Sequence, residues 1–439
     1  MSVCHFQRGS VLVLTLWLAA GLAAGALLAG HAVVLRYRRE GNRRAALYAE
    51  HATDAGRCYV AQVLTTLASA GALPDVTTYT AADIAVGECR LWLLGRSTDA
   101  TAETPEFALQ DEAGRLSLNE PTTLAMLEAL PGMTAELAAA IVDWRDANDD
   151  LSSDGAEAET YLARDPPSLA KNAPFETVDE LRLLNGAEAY LLAGIDRNRN
   201  GILEPWERQF AEPRQARFRD RPDYGCLDLL TVHSREPNTT AAGQPRANLK
   251  TMTPLQLSQA IRPGQPPADS GIDPRSLGSV LDLCLRVKIS EEVATQIFER
   301  FTVSDQSVLI GRVNINTAPA AVLASLPGVG VDNAAQLVAY REQNPTRLQT
   351  PLWLAAALGD EIAKAVAAGD YVTTKSYQVA ADIVAVGPGG RAFRRTRFVF
   401  DLTTGTPLVV SRRDLTHLGW PLGEALRHEL VDSTGGGTL

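Results

Sequence analysis

The sequence predicts an α+β fold: a long amino-terminal helix, a small antiparallel sheet, and a mainly helical block inserted between the sheet's early and late strands. Three observations predict it. Residues 11–35 are an almost unbroken apolar run; strand character at 88–94 and 106–119 returns only at 377–386 and 392–402; and residues 119 to about 370 carry helical patterning broken by proline and glycine. A chain of 439 residues exceeds what one hydrophobic core organises, so two or three folding units are expected.

The apolar run carries no formal charge apart from His31. About 20 such residues cross the hydrocarbon core of a bilayer, whereas the apolar part of a removable secretory signal is about 7–15 residues long, so a retained membrane helix is expected. Arg36, Arg38, Arg39, Arg43 and Arg44 follow the run, and only Arg8 and the terminal amine precede it. The positive-inside tendency alone would keep the body in the cytoplasm. The helix is expected to continue through 36–70, with Leu47, Cys58, Val63, Leu64 and Leu67 as a partly apolar face, and to stop near Gly71 and Pro74. Residues 10–74 are thus read as membrane span and stalk together.

Residues 75–118 carry the first strands. In PEFALQDEAGRLSLN, 105–119, apolar residues alternate around Glu112-Ala113-Gly114, which predicts a hairpin. The insert spans 119–370, with RPGQPPADSG at 262–271 as an exposed loop. Residues 371–434 bring the sheet back as strands joined by the turn Gly387-Pro388-Gly389-Gly390, and 435–439 are expected to be a disordered tail.

Within the insert two segments copy each other: LSLNEPTTLAMLEALPGMTAELAAAIVDWRD at 116–146 and VNINTAPAAVLASLPGVGVDNAAQLVAYREQ at 313–343. Each places Asn ahead of a short apolar helix, then Leu-Pro-Gly, then a second helix ending near Trp144-Arg145 or Tyr340-Arg341. The turn Leu326-Pro327-Gly328-Val329-Gly330 resembles the helix-hairpin-helix motif, whose glycines let backbone N–H groups approach a nucleic-acid phosphate. That resemblance implies an alternative function, DNA binding in a competence or DNA-uptake pilus. Charge opposes it. The chain is at −11 overall, and between Asn314 and Arg347 the bases Arg341 and Arg347 face the acids Asp332 and Glu342, too few for a phosphate backbone.

The strongest local signal is DRNRNGILEPWE, which fits the twelve-residue calcium loop: Asp196, Asn198 and Asn200 at alternate positions, Gly201 at the sharp turn, the Ile202 carbonyl, Glu204 through water, and Glu207 last. A second acidic stretch, DWRDANDDLSSDGAEAETY, runs over 143–161. Cys58, Cys89, Cys226 and Cys284 allow up to two disulfides in an oxidising compartment, with no pairing fixed by the sequence, and no C-x-x-C spacing suggests zinc. The six histidines are scattered and no Gly-x-Ser-x-Gly or phosphate-binding loop occurs, so no enzymatic activity is expected.

Arg8-Gly9-Ser10 running straight into an apolar helix resembles the leader of type IV prepilins, in which a dedicated peptidase cuts after the glycine and the helix is kept. Such proteins place their bodies outside the inner membrane, which resolves the conflict over orientation. They usually carry Glu five residues after the cut; here that position is Leu14. A missing carboxylate there resembles the minor pseudopilin K family of type II secretion systems, as does the order of elements: leader at 1–9, long helix, DEAGR hairpin, two helical hairpins, returning strands.

The family resemblance implies a pilin-like sheet and helix with an insert of two sterile-alpha-motif-like units, at about 116–210 and 312–370. It implies cleavage between Gly9 and Ser10, methylation of the new amine, and a single-pass inner-membrane protein with a periplasmic body at the pseudopilus tip. Partners would be prepilin peptidase, other minor and major pseudopilins and secreted substrate proteins, with nucleic acid unexpected. It also implies structural Ca²⁺ in the helical region. The family's Trp-x-Asp-x-Asp stretch maps onto Trp144, Asp146, Asn148, Asp149, Gly155, Ala156, Glu157 and Tyr161, with Asn148 departing from the usual Asp; Asp146, Asn148, Asp149, Asp154 and Glu157 become the candidate ligands.

Overall fold

The computed structural model describes residues 8–69, 71–96, 104–209, 225–261 and 271–432. The expected disordered tail, and all but the last residue of the expected loop at 262–271, lie outside them.

Helix α1 (Arg8–Leu67) is continuous over 60 residues. Its first half is exposed and is long and apolar enough to cross a membrane. The second half packs on a sheet through small residues at helical spacing: Ala45, Ala49 and Ala52 are buried, then Val60, Val63 and Leu64. Gly56 completes the stripe, since a Cβ there would lie 3.0 Å from Ile383 Cγ2 and 3.2 Å from Leu91 Cδ1. Small side chains let the helix sit close on the sheet.

The sheet collects strands β1 (Ile84–Val86), β2 (Cys89–Leu94) and β3 (Gln110–Asp111) from before the insert. The insert then runs through β4 (Leu116–Ser117), α2 (Leu124–Glu128), α3 (Ala135–Arg145), α4 (Ala158–Leu162), α5 (Ala189–Ala193), α6 (Pro205–Gln209), β5 (Leu230–Thr231), β6 (Arg235–Pro237) and β7 (Ala247–Asn248). It continues through α7 (Pro254–Ile261), α8 (Val280–Val287), α9 (Glu291–Arg300), β8 (Phe301–Thr302), β9 (Val308–Ile310), β10 (Val313–Asn314), α10 (Ala320–Ala324), α11 (Gly330–Gln343), α12 (Trp353–Leu358), α13 (Asp360–Ala367) and β11 (Val372–Thr373). Then β12 (Gln378–Val386), β13 (Phe393–Asp401) and β14 (Leu408–Asp414) complete the sheet, and α14 (Glu424–Asp432) follows.

The sheet order is β1-β2-β12-β13-β14, with β3 also on β12, and every pairing is antiparallel. The expected α+β architecture is therefore observed. The β12–β13 hairpin stays in register over its whole length, from Gln378 opposite Asp401 to Val386 opposite Phe393. Every residue of β12 is buried, because α1 covers one face with Val379, Ala381, Ile383 and Ala385, while Val384 and Val386 meet Leu422, Trp420 and Leu426 on the other.

The hairpin expected around Glu112-Ala113-Gly114 is not one. Its first arm, β3, pairs with β12, while its second, β4, pairs in parallel with β5 inside the insert. Asp111 explains the divergence: its buried carboxylate accepts hydrogen bonds from Ala113 N at 2.9 Å, Asn314 Nδ2 at 2.8 Å, and Thr317 Oγ1 and Ser376 Oγ at 2.6 Å. A Cβ on Gly114 would lie 3.0 Å from Thr317 Oγ1. The chain is turned off the sheet and pinned to the second helical unit. The two disulfides allowed by the sequence are not seen among the described residues: Cys58 is exposed and Cys89 and Cys284 are buried as thiols, and Cys226 is buried as well.

The two helical hairpins share one core that includes Leu127, Leu137, Ile141, Trp144, Val322, Leu323, Leu337 and Trp353. Between them in sequence, α7, α8 and α9 gather a separate cluster around Leu257, Leu283 and Ile297.

Candidate metal centres in the helical insert

Both copies of the helical hairpin are built alike. Gly132 and Gly328, ending the two Leu-Pro-Gly turns, have the same φ of +77°, which an L side chain rarely adopts. At the end of the second helix an arginine reaches back to the loop before the first. Arg145 Nη1 donates to Leu118 O at 2.6 Å and Nη2 to Thr122 O; Arg341 Nη1 donates to Ala318 O at 2.6 Å. Burial depresses both guanidinium pKa values. One of the two bases counted between Asn314 and Arg347 is thus used internally, holding backbone carbonyls. The hairpins act as packing units, with Tyr340 stacked on Trp353 at 5.7 Å and Trp144 edge-on to Tyr161 at 5.2 Å.

The first copy carries a carboxylate group. Asp143 projects from the buried side of α3, Asp146 caps the carboxyl end of that helix, and Glu157 stands at the amino end of α4. One oxygen from each lies within 4.8 Å of the others. That is about the widest spacing of two oxygens that a single Ca²⁺ bridges with bonds of about 2.4 Å. Asp143 Oδ2 accepts from Ala156 N at 2.9 Å and Ser152 N at 3.3 Å. Its Oδ1 and both Glu157 oxygens are buried with no hydrogen-bond partner.

Leaving buried carboxylate oxygens unpaired is costly unless something cationic meets them. Burial first, then the charges of Asp143, Asp146 and Asp149, push the Glu157 carboxyl up to about 6. Hard oxygen donors, crowded and unneutralised, fit a calcium-type cation. Gly155 is obligatory in this loop, because a Cβ there would lie 1.9 Å from Asp143 Oδ2.

Of the ligands expected here, Asp146 and Glu157 converge. Asn148, Asp149 and Asp154 are exposed and lie outside the group. Asn148 Oδ1 accepts from Asp150 N at 2.7 Å and Asp149 Oδ1 from Asn172 Nδ2 at 2.7 Å, which shapes the loop instead. Asp143 was missed. Its signal was an acid placed directly after the apolar stretch LAAAIV of that helix, on the side that the helix buries.

The second candidate, 196–207, is buried and closed on itself. Asp196 accepts from Asn200 N at 3.1 Å and Gly201 N at 2.9 Å, Asn198 Oδ1 from Asn200 N at 3.0 Å, and Asn200 Oδ1 from Ile202 N at 3.0 Å. Glu207 accepts from Arg197 N at 2.8 Å and Glu204 N at 3.1 Å, while Glu204 Oε2 accepts from Asn198 Nδ2 at 2.7 Å. Gly201 has φ +82° at the expected sharp turn, and Pro205 opens α6, where a missing N–H costs nothing. Burial raises the carboxyl pKa values of Asp196 and Glu204 and pushes Glu207 up to about 7, with Asp196 adding repulsion. Its acids repel one another as a cation site's would. Unlike those of the first group, their oxygens are largely taken by backbone N–H donors.

This loop also docks on the far face of the sheet. Arg395 pairs with Asp382 at 2.7 Å and donates to Arg199 O at 2.8 Å and to Asn198 O, while Asn198 Nδ2 donates to Trp420 O at 3.1 Å. Asp228, held well below the usual carboxylate range chiefly by Arg199 and Arg96 against its own desolvation, fixes the other side of Arg199.

Residues 99–197 match the family model for protein K of the type II secretion system, and residues 308–347 match that for the helix-hairpin-helix motif. A stretch of 68 residues, 16% of this chain, is 41% identical to the type II secretion system protein K of Klebsiella pneumoniae and spans 21% of that protein's length. A solved chain of the GspK-GspI-GspJ complex of enterotoxigenic Escherichia coli aligns over 86% of this chain and 97% of its own, at 13% identity and a TM-score of 0.43. The segment at 99–197, which holds the whole Asp143–Asp146–Glu157 group, is thus similar to protein K of type II secretion systems.

Proposed function

We propose that this chain is a minor pseudopilin of the K type, a structural subunit at the tip of a type II secretion pseudopilus that supports pseudopilus assembly and protein export. What carries the reading is a protein K domain joined to an exposed apolar helix whose second half is built into a sheet. In this reading α1 anchors the chain in the inner membrane as a single span, with its body in the periplasm. Prepilin peptidase cuts after Gly9, and Ser10 becomes the methylated amino terminus. The apolar face then bundles with the helices of other minor and major pseudopilins, while the body meets those subunits and secreted proteins.

Leu14, exposed and apolar, offers no carboxylate to a following subunit's amine, which suits a subunit with none beyond it. No turnover is assigned to it. The mass of the membrane-extracted mature chain tests the proposal: a start at Ser10 supports it, and a start beyond the apolar run overturns it.

Calcium belongs to the same proposal as a structural ion. Asp143, Asp146 and Glu157 would hold it in the first unit, and Asp196, Asn198, Asn200, Ile202 O, Glu204 and Glu207 form a second candidate set. Bound there, the ion supplies the positive charge that these carboxylates lack and fixes loops that are otherwise costly to order.

A further inference from the structure

Where α1 leaves its apolar run the body overhangs it. The turn after β12 brings Arg391 down onto the helix at Gly41, so closely that a Cβ on Gly41 would lie 2.9 Å from Arg391 Nη1. Between them lies a cleft of about 670 Å³ lined by Tyr37, Arg38, Gly41, Arg44 and Arg391. Its one carboxylate, Glu40, is engaged by Arg44 at 3.1 Å. Among the described residues the side chains of Arg38 and Arg391 have no hydrogen-bond or ion-pair partner, and both are exposed. The cleft is thus a net positive site in a chain of charge −11.

Its height above the apolar run identifies what reaches it. At about 1.5 Å per helical residue, Arg38 stands ~4.5 Å and Gly41 ~9 Å beyond Leu35. The headgroup layer on each side of a bilayer is roughly 5–8 Å thick, so the two guanidinium groups flank phosphate depth. Arg36, Arg39 and Arg43 add positive charge on the rest of the helix at the same level. Guanidinium binds phosphate oxygens bidentately, and basic clusters beside a membrane span attract anionic lipid.

We propose that the cleft between Arg38 and Arg391 holds the phosphate of an anionic phospholipid headgroup while the subunit stands in the membrane. The inference rests on the anchoring of α1 proposed above. It adds to that reading a lipid site that must be vacated when the helix leaves the bilayer for a fibre.

Native mass spectrometry of the full-length chain, released from detergent containing equal amounts of phosphatidylglycerol and phosphatidylethanolamine, tests it. We expect retained phosphatidylglycerol to exceed phosphatidylethanolamine about tenfold, the ratio to fall to near one in R38Q/R391Q, and R347Q, which alters an exposed arginine outside the cleft, to leave it unchanged. Equal retention by the wild type, or a preference that survives R38Q/R391Q, overturns the proposal, as does a preference abolished by excess inorganic phosphate, which would mark a free-anion site. Flotation with zwitterionic vesicles reads the anchor separately. Wild-type chain that fails to float overturns the membrane reading, whereas chain that floats without lipid preference overturns the cleft alone.

Discussion

Replacing Glu157 by Gln separates the two roles of the Asp143–Asp146–Glu157 group, because the amide keeps the shape of the side chain and removes its charge. Without a cation, the fold raises the Glu157 carboxyl from 4.5 to about 6. An acid whose folded pKa lies above its unfolded value is held protonated by the fold. The ion-free protein therefore loses stability as pH rises from about 4.5 to about 6, and the loss is complete above that. The shift corresponds to ~2 kcal/mol, and solvent screening at the partly exposed Asp146 side reduces it to ~1 kcal/mol. Calcium at a hundred times its dissociation constant stabilises the wild type by about 2.7 kcal/mol, or roughly 5–10 °C of Tm at 2–4 °C per kcal/mol.

Scanning calorimetry of the detergent-solubilised chain at pH 7.5, in chelator and in calcium, reads both effects. Glu157→Gln is expected to melt about 2–4 °C above the wild type in chelator and to lose most of the calcium-induced rise. At pH 4.5 in chelator the two proteins should melt together. A wild type that calcium does not stabilise, or a variant that calcium stabilises just as much, would refute the assignment.

Further outcomes follow from the same geometry. Gly155→Ala drives a methyl into Asp143 Oδ2 and should abolish the calcium response, with a loss of ~2–3 kcal/mol by urea unfolding. Arg395→Met strands the buried Asp382 carboxylate and the carbonyls of Asn198 and Arg199; it should cost ~3–5 kcal/mol, part of which returns in Arg395→Met/Asp382→Leu. Arg341→Met frees the Ala318 carbonyl and should lower stability by ~1–3 kcal/mol. DNA mobility at low salt should be unaffected by the wild type and variant alike, and a salt-sensitive shift by the wild type would reinstate the nucleic-acid reading.

The elements readable from sequence were those with long, repeated periodicity. The apolar run and its continuation to Leu67, the strand-rich segments of β12 and β13 on either side of a glycine turn, and the duplicated hairpins each declare themselves within one segment. What stayed hidden depends on distant partners. The arms at 106–119 read as a hairpin because alternation tells strand from helix but not which strand comes next; Asn314, Thr317 and Ser376, some two hundred residues away or more, decide it. Strand β14 was overlooked because LVVSRRD is an edge strand whose exposed positions mix Leu408 and Val410 with Arg412 and Asp414, so no clean apolar–polar alternation marks it, and α14 because it follows a run of turns. Within the metal stretch, acids crowded into a flexible-looking loop drew attention from Asp143, whose place inside an apolar helix is the more telling position, since an unpaired charge is not carried there without cause.

Strands β3 and β12 are neighbours, with Asp111 opposite Val379, so the polypeptide departs for the insert and comes home at adjacent points. An accessory module tethered by two side-by-side threads can be enlarged, trimmed or exchanged over generations without unravelling the rod-and-sheet scaffold beneath it. The ties through Arg395 to Asn198 and Arg199, and through Arg413 to Asp179, are rivets by which that module travels as one piece with the shaft.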